Sequence, residues 1–183
     1  MVLYIVIGVA VLAVLWAIMT YNGLVSRRAM VGEGWSGIDA QLKRRGDLIP
    51  NLVETVKGYA THERTTFDEL TRMRSQTGSQ DPAQRAAAET AITAAIGKVM
   101  AVAEAYPDLK ASANFQSLQK DLADLEDQIQ LARRYYNGTV RNYNVAIQQF
   151  PSSLIAGMGG FTPSQFFQLD NAEDRNVPKV SFS

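Results

Sequence analysis

The sequence predicts an all-α protein: an N-terminal transmembrane helix that continues into an elongated, up-and-down antiparallel helical bundle, followed by an irregular C-terminal tail. Three observations predict it. The chain opens on an uncharged apolar run. Apolar residues then recur at three- and four-residue steps almost to Phe150, with no strand-like alternation of comparable length. Beyond Pro151 that period stops. The expected divisions are residues 1–26 as anchor, 27–150 as bundle and 151–183 as a tail packed on the bundle.

The first element is "VLYIVIGVAVLAVLWAIM", Val2 to Met19, which carries no charge. It runs on through Thr20, Tyr21 and Asn22. At about 1.5 Å per residue it covers most of a hydrocarbon core of about 30 Å. Tyr4 lies near one end and Trp16 and Tyr21 near the other, where amphipathic rings favour the headgroup level. No Lys or Arg precedes the run, and no small-x-small site follows it, so a cleaved signal peptide fits poorly. The lipid bilayer is therefore the first expected partner, through residues 2–22. Arg27, Arg28, Lys43, Arg44 and Arg45 all follow the span. Basic flanks stay cytoplasmic, which puts the N-terminus outside and the bulk of the chain in the cytoplasm.

The second element reads as a helix from Arg27 to Arg74. Val31, Trp35, Ile38, Leu42, Ile49, Leu52, Val56, Tyr59, Phe67 and Leu70 form its apolar stripe. Gly46 and Pro50 fall inside it. The seven-residue steps from Leu42 to Ile49 to Val56 keep their phase across both, so the reading is one helix with a kink near Pro50. The alternative is a break, with Asp47 capping a new helix and Pro50 in its first turn. Arg45-Gly46-Asp47 spells an adhesion triplet. Such a ligand needs an exposed extracellular loop, and this one lies in a helical register on the cytoplasmic side.

"SQTGSQDP", Ser75 to Pro82, is a turn by composition. Asp81 caps the next helix and Pro82 takes its first position. Ile92, Ile96, Val99, Ala103 and Tyr106 mark its buried stripe. A third helix follows from about Leu109 to Phe150. Its stripe is Phe115, Leu118, Leu122, Leu125, Ile129, Ala132, Tyr136, Val140, Tyr143, Ile147 and Phe150. The tail brings Leu154, Ile155, Phe161, Phe166, Phe167 and Phe182 onto the helices. In this scheme the first helix reaches about 72 Å outward, the second returns about 36 Å, and the third runs about 63 Å outward again. Apolar stripes around Trp35 and Ile38, and around Tyr143 and Phe150, are then left uncovered, which calls for the tail or a second copy of the chain.

Two long blocks and a short one carry a family resemblance. "SRRAMVGEGWSGIDAQLKRRGDLIPNLVETVKGYATHE", Ser26 to Glu63, resembles the signature of the LemA family. "YYNGTVRNYNVAIQQFPSSLIAGMGGF", Tyr135 to Phe161, and "PKVSF", Pro178 to Phe182, resemble its C-terminal part. Gly34 stands where Ala is more usual in that family. The resemblance implies a single-pass bacterial inner-membrane protein with a cytoplasmic helical bundle and no established enzymatic activity. It also implies a link to envelope and membrane organisation. A membrane metalloprotease is a candidate partner, because members are often encoded near one.

Composition and motifs exclude most chemistry. Eighteen basic and eighteen acidic residues cancel in the 183-residue chain, so nucleic acid is not an expected partner. There is no Cys, hence no thiolate nucleophile and no cysteine metal site. His62 is the only histidine. His62-Glu63 lacks the second His of a zinc protease motif, where Thr66 stands. Asp39, Asp47, Asn51 and Glu54 could form a cation site, but Lys43, Arg44, Arg45 and Lys57 at helical spacing favour salt bridges. Tyr136-Asn137 and Tyr143-Asn144 recur on similar faces of the third helix. Their hydroxyls are expected to reach buried partners such as Asp39 or Glu54. Gly157, Gly159 and Gly160 resemble a phosphate loop only loosely, since no Lys-Ser/Thr follows. Asp121 to Asp127 and Arg133, Arg134 read as a solvated or dimer-facing charge pattern.

No catalytic, cofactor or metal residue is assigned, and the chain is read as a non-enzyme without a cofactor. The expected function is a membrane-anchored, self-associating helical scaffold. An oligomeric remodeller of the lipid surface, with Phe161, Phe166 and Phe167 touching lipid, is the first alternative. A carboxylate-based metal protein or enzyme built on Asp39–Glu54 is the second.

Overall fold

A computed structural model describes residues 1–60, 64–74, 79 and 81–168. Among these, all regular structure is helical. The helices are α1 (Val2–Lys57), α2 (Arg64–Arg74), α3 (Pro82–Glu104), α4 (Pro107–Lys110), α5 (Ala113–Gln148) and α6 (Ser152–Met158). His62 and the closing Pro178–Phe182 block lie outside the described residues.

The kink-or-break question at Gly46 and Pro50 is answered by α1, which is one helix with Pro50 inside it. It stops at Lys57, well short of Arg74. Gly58 follows, and the chain tightens: Tyr59 N–H donates to Val56 O (3.0 Å) and Ala60 N–H to the same carbonyl (2.9 Å). Gly is the commonest residue just past a helix end, and Lys57 suits the negative end of the dipole. α2 is therefore a separate helix. Asp81 caps α3 as expected, its Oδ1 accepting from Ala83 N–H and Gln84 N–H at 2.9 Å each, with Pro82 following. The third predicted helix is also divided, because α4 ends at Lys110 and α5 begins at Ala113.

The chain forms two compact units. One takes Asp39–Leu131 and the described residues from Phe167. Its core joins Ile49, Leu52 and Val56 of α1 to Phe67 and Leu70 of α2. Ile92, Val99 and Ala103 of α3, Leu109 of α4 and Phe115, Leu118 and Leu122 of α5 complete it. Ion pairs give the helix directions. Arg74 reaches back to Asp47 (3.6 Å), so α2 returns along α1. Asp39 meets Arg85 and Arg45 meets Glu89, so α3 runs parallel to α1. Arg45 also meets Glu126 (3.1 Å), while Leu48 and Asn51 share a groove with Ser117 and Leu118, so α5 runs antiparallel to α1. The expected outward course of the last long helix is thus reversed. Treating α1 and α2 as one helix drops a single turn, and each later helix then points the wrong way.

The other unit takes Met1–Ile38 and Ala132–Phe166. Leu24, Val31 and Ile38 of α1 are buried there, with Tyr136, Val140, Tyr143 and Ile147 of α5 and Ala156 of α6. A Cβ added to Gly34 would lie 3.2 Å from Tyr136 Cα, so this glycine marks a close approach of α1 and α5. The stripes around Trp35, Ile38 and Tyr143, expected to be uncovered, are instead covered within the chain. Phe150 is the exception, at 80% exposed. The tail is not irregular throughout, since α6 occupies its start.

Candidate functional site

Among the described residues, three places bear most directly on function. The first is a layer of buried charge. Arg45 of α1, and Arg85 and Glu89 of α3, are all buried. The Arg45 guanidinium pairs with the Glu89 carboxylate, and donates to Thr93 Oγ1 (3.0 Å) and Glu126 Oε2 (3.1 Å). Arg85 Nε lies 3.0 Å from the other Glu89 oxygen, close enough for an ion pair though not aligned as a hydrogen bond. Arg85 Nη2 reaches Asp39 Oδ1 (3.3 Å). Glu89 thus sits between two guanidinium groups, while Asp39 and Glu126 are partly in water. Each buried charge has an opposite partner, as desolvation demands.

This layer settles the adhesion triplet. Arg45 is 3% exposed and inside the bundle, so the triplet offers no arginine to a receptor. It also revises the pairing expected for the α1 carboxylates. Asp39 and Asp47 do form salt bridges, but with Arg85 and Arg74 of other helices rather than neighbours on α1. Asn51 and Glu54 line an open polar groove with Asn114, Ser117 and Asp121. Among the described residues no group of three or more His, Cys, Asp or Glu side chains could hold a metal ion. The role of Arg85 and Glu89 was missed from sequence. The signal was present: Arg85, Glu89 and Ile92 share one helical face, and that face is the buried stripe.

The second place is a clasp on the tail. Tyr143 Oη donates to Thr162 O (3.0 Å) and Tyr136 Oη to Gln165 O (2.8 Å). Asn144 holds Ser164 from both sides: its Nδ2 donates to Ser164 O (2.9 Å) and its Oδ1 accepts from Ser164 N–H (2.8 Å). The expected carboxylate partners of the two tyrosines are replaced by backbone carbonyls. An extended segment has such groups unpaired, and burying them requires side chains that supply the missing bonds. Burial also raises the Tyr136 pKa above its ordinary value. The Trp35 ring packs on the Tyr136 ring, centroids 5.6 Å apart, and is only partly buried. Of the three tail aromatics, Phe167 is fully buried, Phe161 packs edge-on to Tyr21 (5.4 Å), and Phe166 is exposed.

The third place is the apolar surface of α1 before Asn22. It is long and apolar enough to cross a membrane, and none of its most apolar stretch is buried. α3 passes the same test of length and composition, but it carries Arg85 and Glu89 and contributes core residues to the bundle.

The LemA family model matches residues 34–182. The chain belongs to the LemA family. Among relatives of this LemA-family chain, the "Magnetosome protein MamQ" of Magnetospirillum gryphiswaldense is 24% identical over 87% of this chain and 69% of its own length. "Magnetosome protein MamQ 2" of Paramagnetospirillum magneticum is 25% identical over the same shares. "Protein LemA" of Metamycoplasma hominis is 26% identical over 85% of this chain and 72% of its own. The family match takes in the clasp and leaves out Met1–Glu33, the stretch that holds the apolar span, and Ser183.

Proposed function

We propose that this LemA-family chain is a membrane-anchored, non-enzymatic helical scaffold, with residues 2–22 in a bacterial inner membrane, the N-terminus outside and the bundle in the cytoplasm. One observation carries the proposal. The exposed apolar stretch and the bundle share a single uninterrupted helix, α1. The anchor is therefore part of a bundle helix and not a separate tether, which supports display of the bundle at the membrane surface. Display at a surface raises the effective concentration of whatever the bundle binds. Arg27 and Arg28, both exposed just after the span, support the cytoplasmic side. Among the described residues, the buried charges form ion pairs and the clasp side chains form hydrogen bonds that hold the fold together, which supports a role by contact.

The Trp35 and Tyr143 stripes are covered within one chain and Phe150 is left exposed, so a second copy is not needed to cover the first two. The scaffold proposal therefore does not depend on self-association.

The chain lacks cysteine, so single cysteines report its topology cleanly. In spheroplasts, a membrane-impermeant maleimide should label a cysteine added ahead of Val2 and spare Leu131→Cys until the membrane is lysed. Labelling of Leu131→Cys before lysis reverses the orientation. Release of the protein by alkaline carbonate removes the anchor.

A further inference from the structure

α6 places apolar side chains where the fold gives them nothing to cover. Leu154 and Met158, four residues apart on one face, are 57% and 87% exposed, and Phe150 stands exposed in the turn before them. No Asp, Glu, Lys or Arg occurs between Arg141 and Asp170. The position of α6 is fixed at both ends. The Ser152 hydroxyl donates to Ala146 O (2.6 Å), holding its start to the end of α5. At its far end, Gly159 leaves room for the Phe161 ring on Tyr21: a Cβ there would come within 2.7 Å of that ring and 3.1 Å of Tyr21. Gly160 follows at φ +67°, a conformation glycine adopts freely. Tyr21 lies at the close of the apolar span. The far end of α6 thus lies beside the close of the apolar span.

We propose that this face, formed by Leu154 and Met158, rests in the headgroup layer of the same bilayer that α1 crosses. Its occupant is lipid. A short uncharged helix with large apolar side chains on one face gains by burial at the headgroup boundary, and its neighbours Tyr21 and Phe161 are ring types enriched or tolerated there. The unit that holds the span then meets the membrane at two points, the span and α6. This inference rests on the anchored reading above.

The test uses the full chain in phosphatidylcholine–phosphatidylglycerol nanodiscs, with a spin label on single cysteines at Leu12, Leu131, Leu154 or Met158. Collision with oxygen reports lipid, and collision with a neutral nickel chelate reports water. Leu12 should favour oxygen strongly and Leu131 the chelate. Leu154 and Met158 should favour oxygen, at shallower depth than Leu12. Chelate access at Leu154 and Met158 equal to that at Leu131, with Leu12 in lipid, overturns this inference alone. Low access to both reagents means that protein covers the face, a second copy included, and also overturns it. Chelate access at Leu12 overturns the anchored reading itself.

Discussion

Arg45 on α1 and Glu89 on α3 form an ion pair with almost no access to water, 3% and 2% exposed at the side chain. Arg85 shares the same carboxylate, so one acid neutralises two buried bases. Removing that acid should be the most damaging change in the layer. Glu89→Ala is expected to cost about 3–5 kcal/mol, the usual penalty for stranding buried charge. Arg45→Ala should cost less, since Glu89 keeps Arg85 and the half-solvated Glu126 turns to water. Asp39→Asn, at a partly exposed pair, should cost under about 1 kcal/mol. Denaturant melts in detergent would rank the three. Equal losses at Asp39 and Glu89 would mean that burial is not what sets the energy.

The tail clasp makes a separate prediction. Tyr143→Phe removes one donor and should destabilise the tail's hold by about 1 kcal/mol. Asn144→Ala strands both the N–H and the carbonyl of Ser164, so its effect should be larger, about 1–3 kcal/mol. Hydrogen exchange should show the Ser164 amide losing protection in Asn144→Ala and keeping most of it in Tyr143→Phe. Unchanged exchange in both would show that other packing holds the segment.

Tyr136 adds a pH dependence. Burial raises its phenol above the ordinary value of about 10. The protonated form, the one that donates to Gln165 O, is the form the fold favours. The folded chain therefore keeps its proton to higher pH than the unfolded chain does. The contribution is full below about pH 10 and is lost as pH rises through the folded value. Wild-type stability should fall more steeply than that of Tyr136→Phe between about pH 10 and the folded value. Melts at stepped alkaline pH would show it, and parallel curves would contradict it.

The buried stripes were readable because helical spacing and burial share one cause: a helix turns one face to its neighbours. Ile49, Leu52, Ile92, Val99, Leu122 and Ile129 are buried where the period puts them. The stop after Lys57 was harder to read, because Val56 to Tyr59 keeps a helical step. Tyr59 in fact lies 46% exposed, beyond the helix end. Gly58 beside a basic last turn was the available stop signal, and apolar phase outweighed it. That error inverted α5, and with it the conclusion that stripes lay bare. The charge layer was legible on α3, where Arg85 and Glu89 interrupt an alanine-rich buried face. The clasp was not, since its acceptors are backbone carbonyls of an aperiodic segment.

Gly46 and Pro50 lie one helical turn apart, and their pairing explains how α1 stays whole. Pro50 has no N–H to donate, and the acceptor it fails is the carbonyl of Gly46, against which its ring also presses. Pro50 is exposed, so water can reach the carbonyl it leaves unpaired. Gly46 has no Cβ to restrict the adjustment, and open space surrounds the position. Pro50→Ala should therefore stabilise the chain, by up to about 3 kcal/mol, through a restored bond and a better helix former. Gly46→Ala should add about 0.5–1 kcal/mol when Pro50 is already Ala. With Pro50 in place the same change should help less, because the freedom it removes is the freedom the proline uses. A double-mutant cycle on melting free energies measures that difference. Strict additivity would show that Gly46 does nothing for Pro50, and a loss of stability in Pro50→Ala would show that the proline itself holds α1 in the shape the bundle needs.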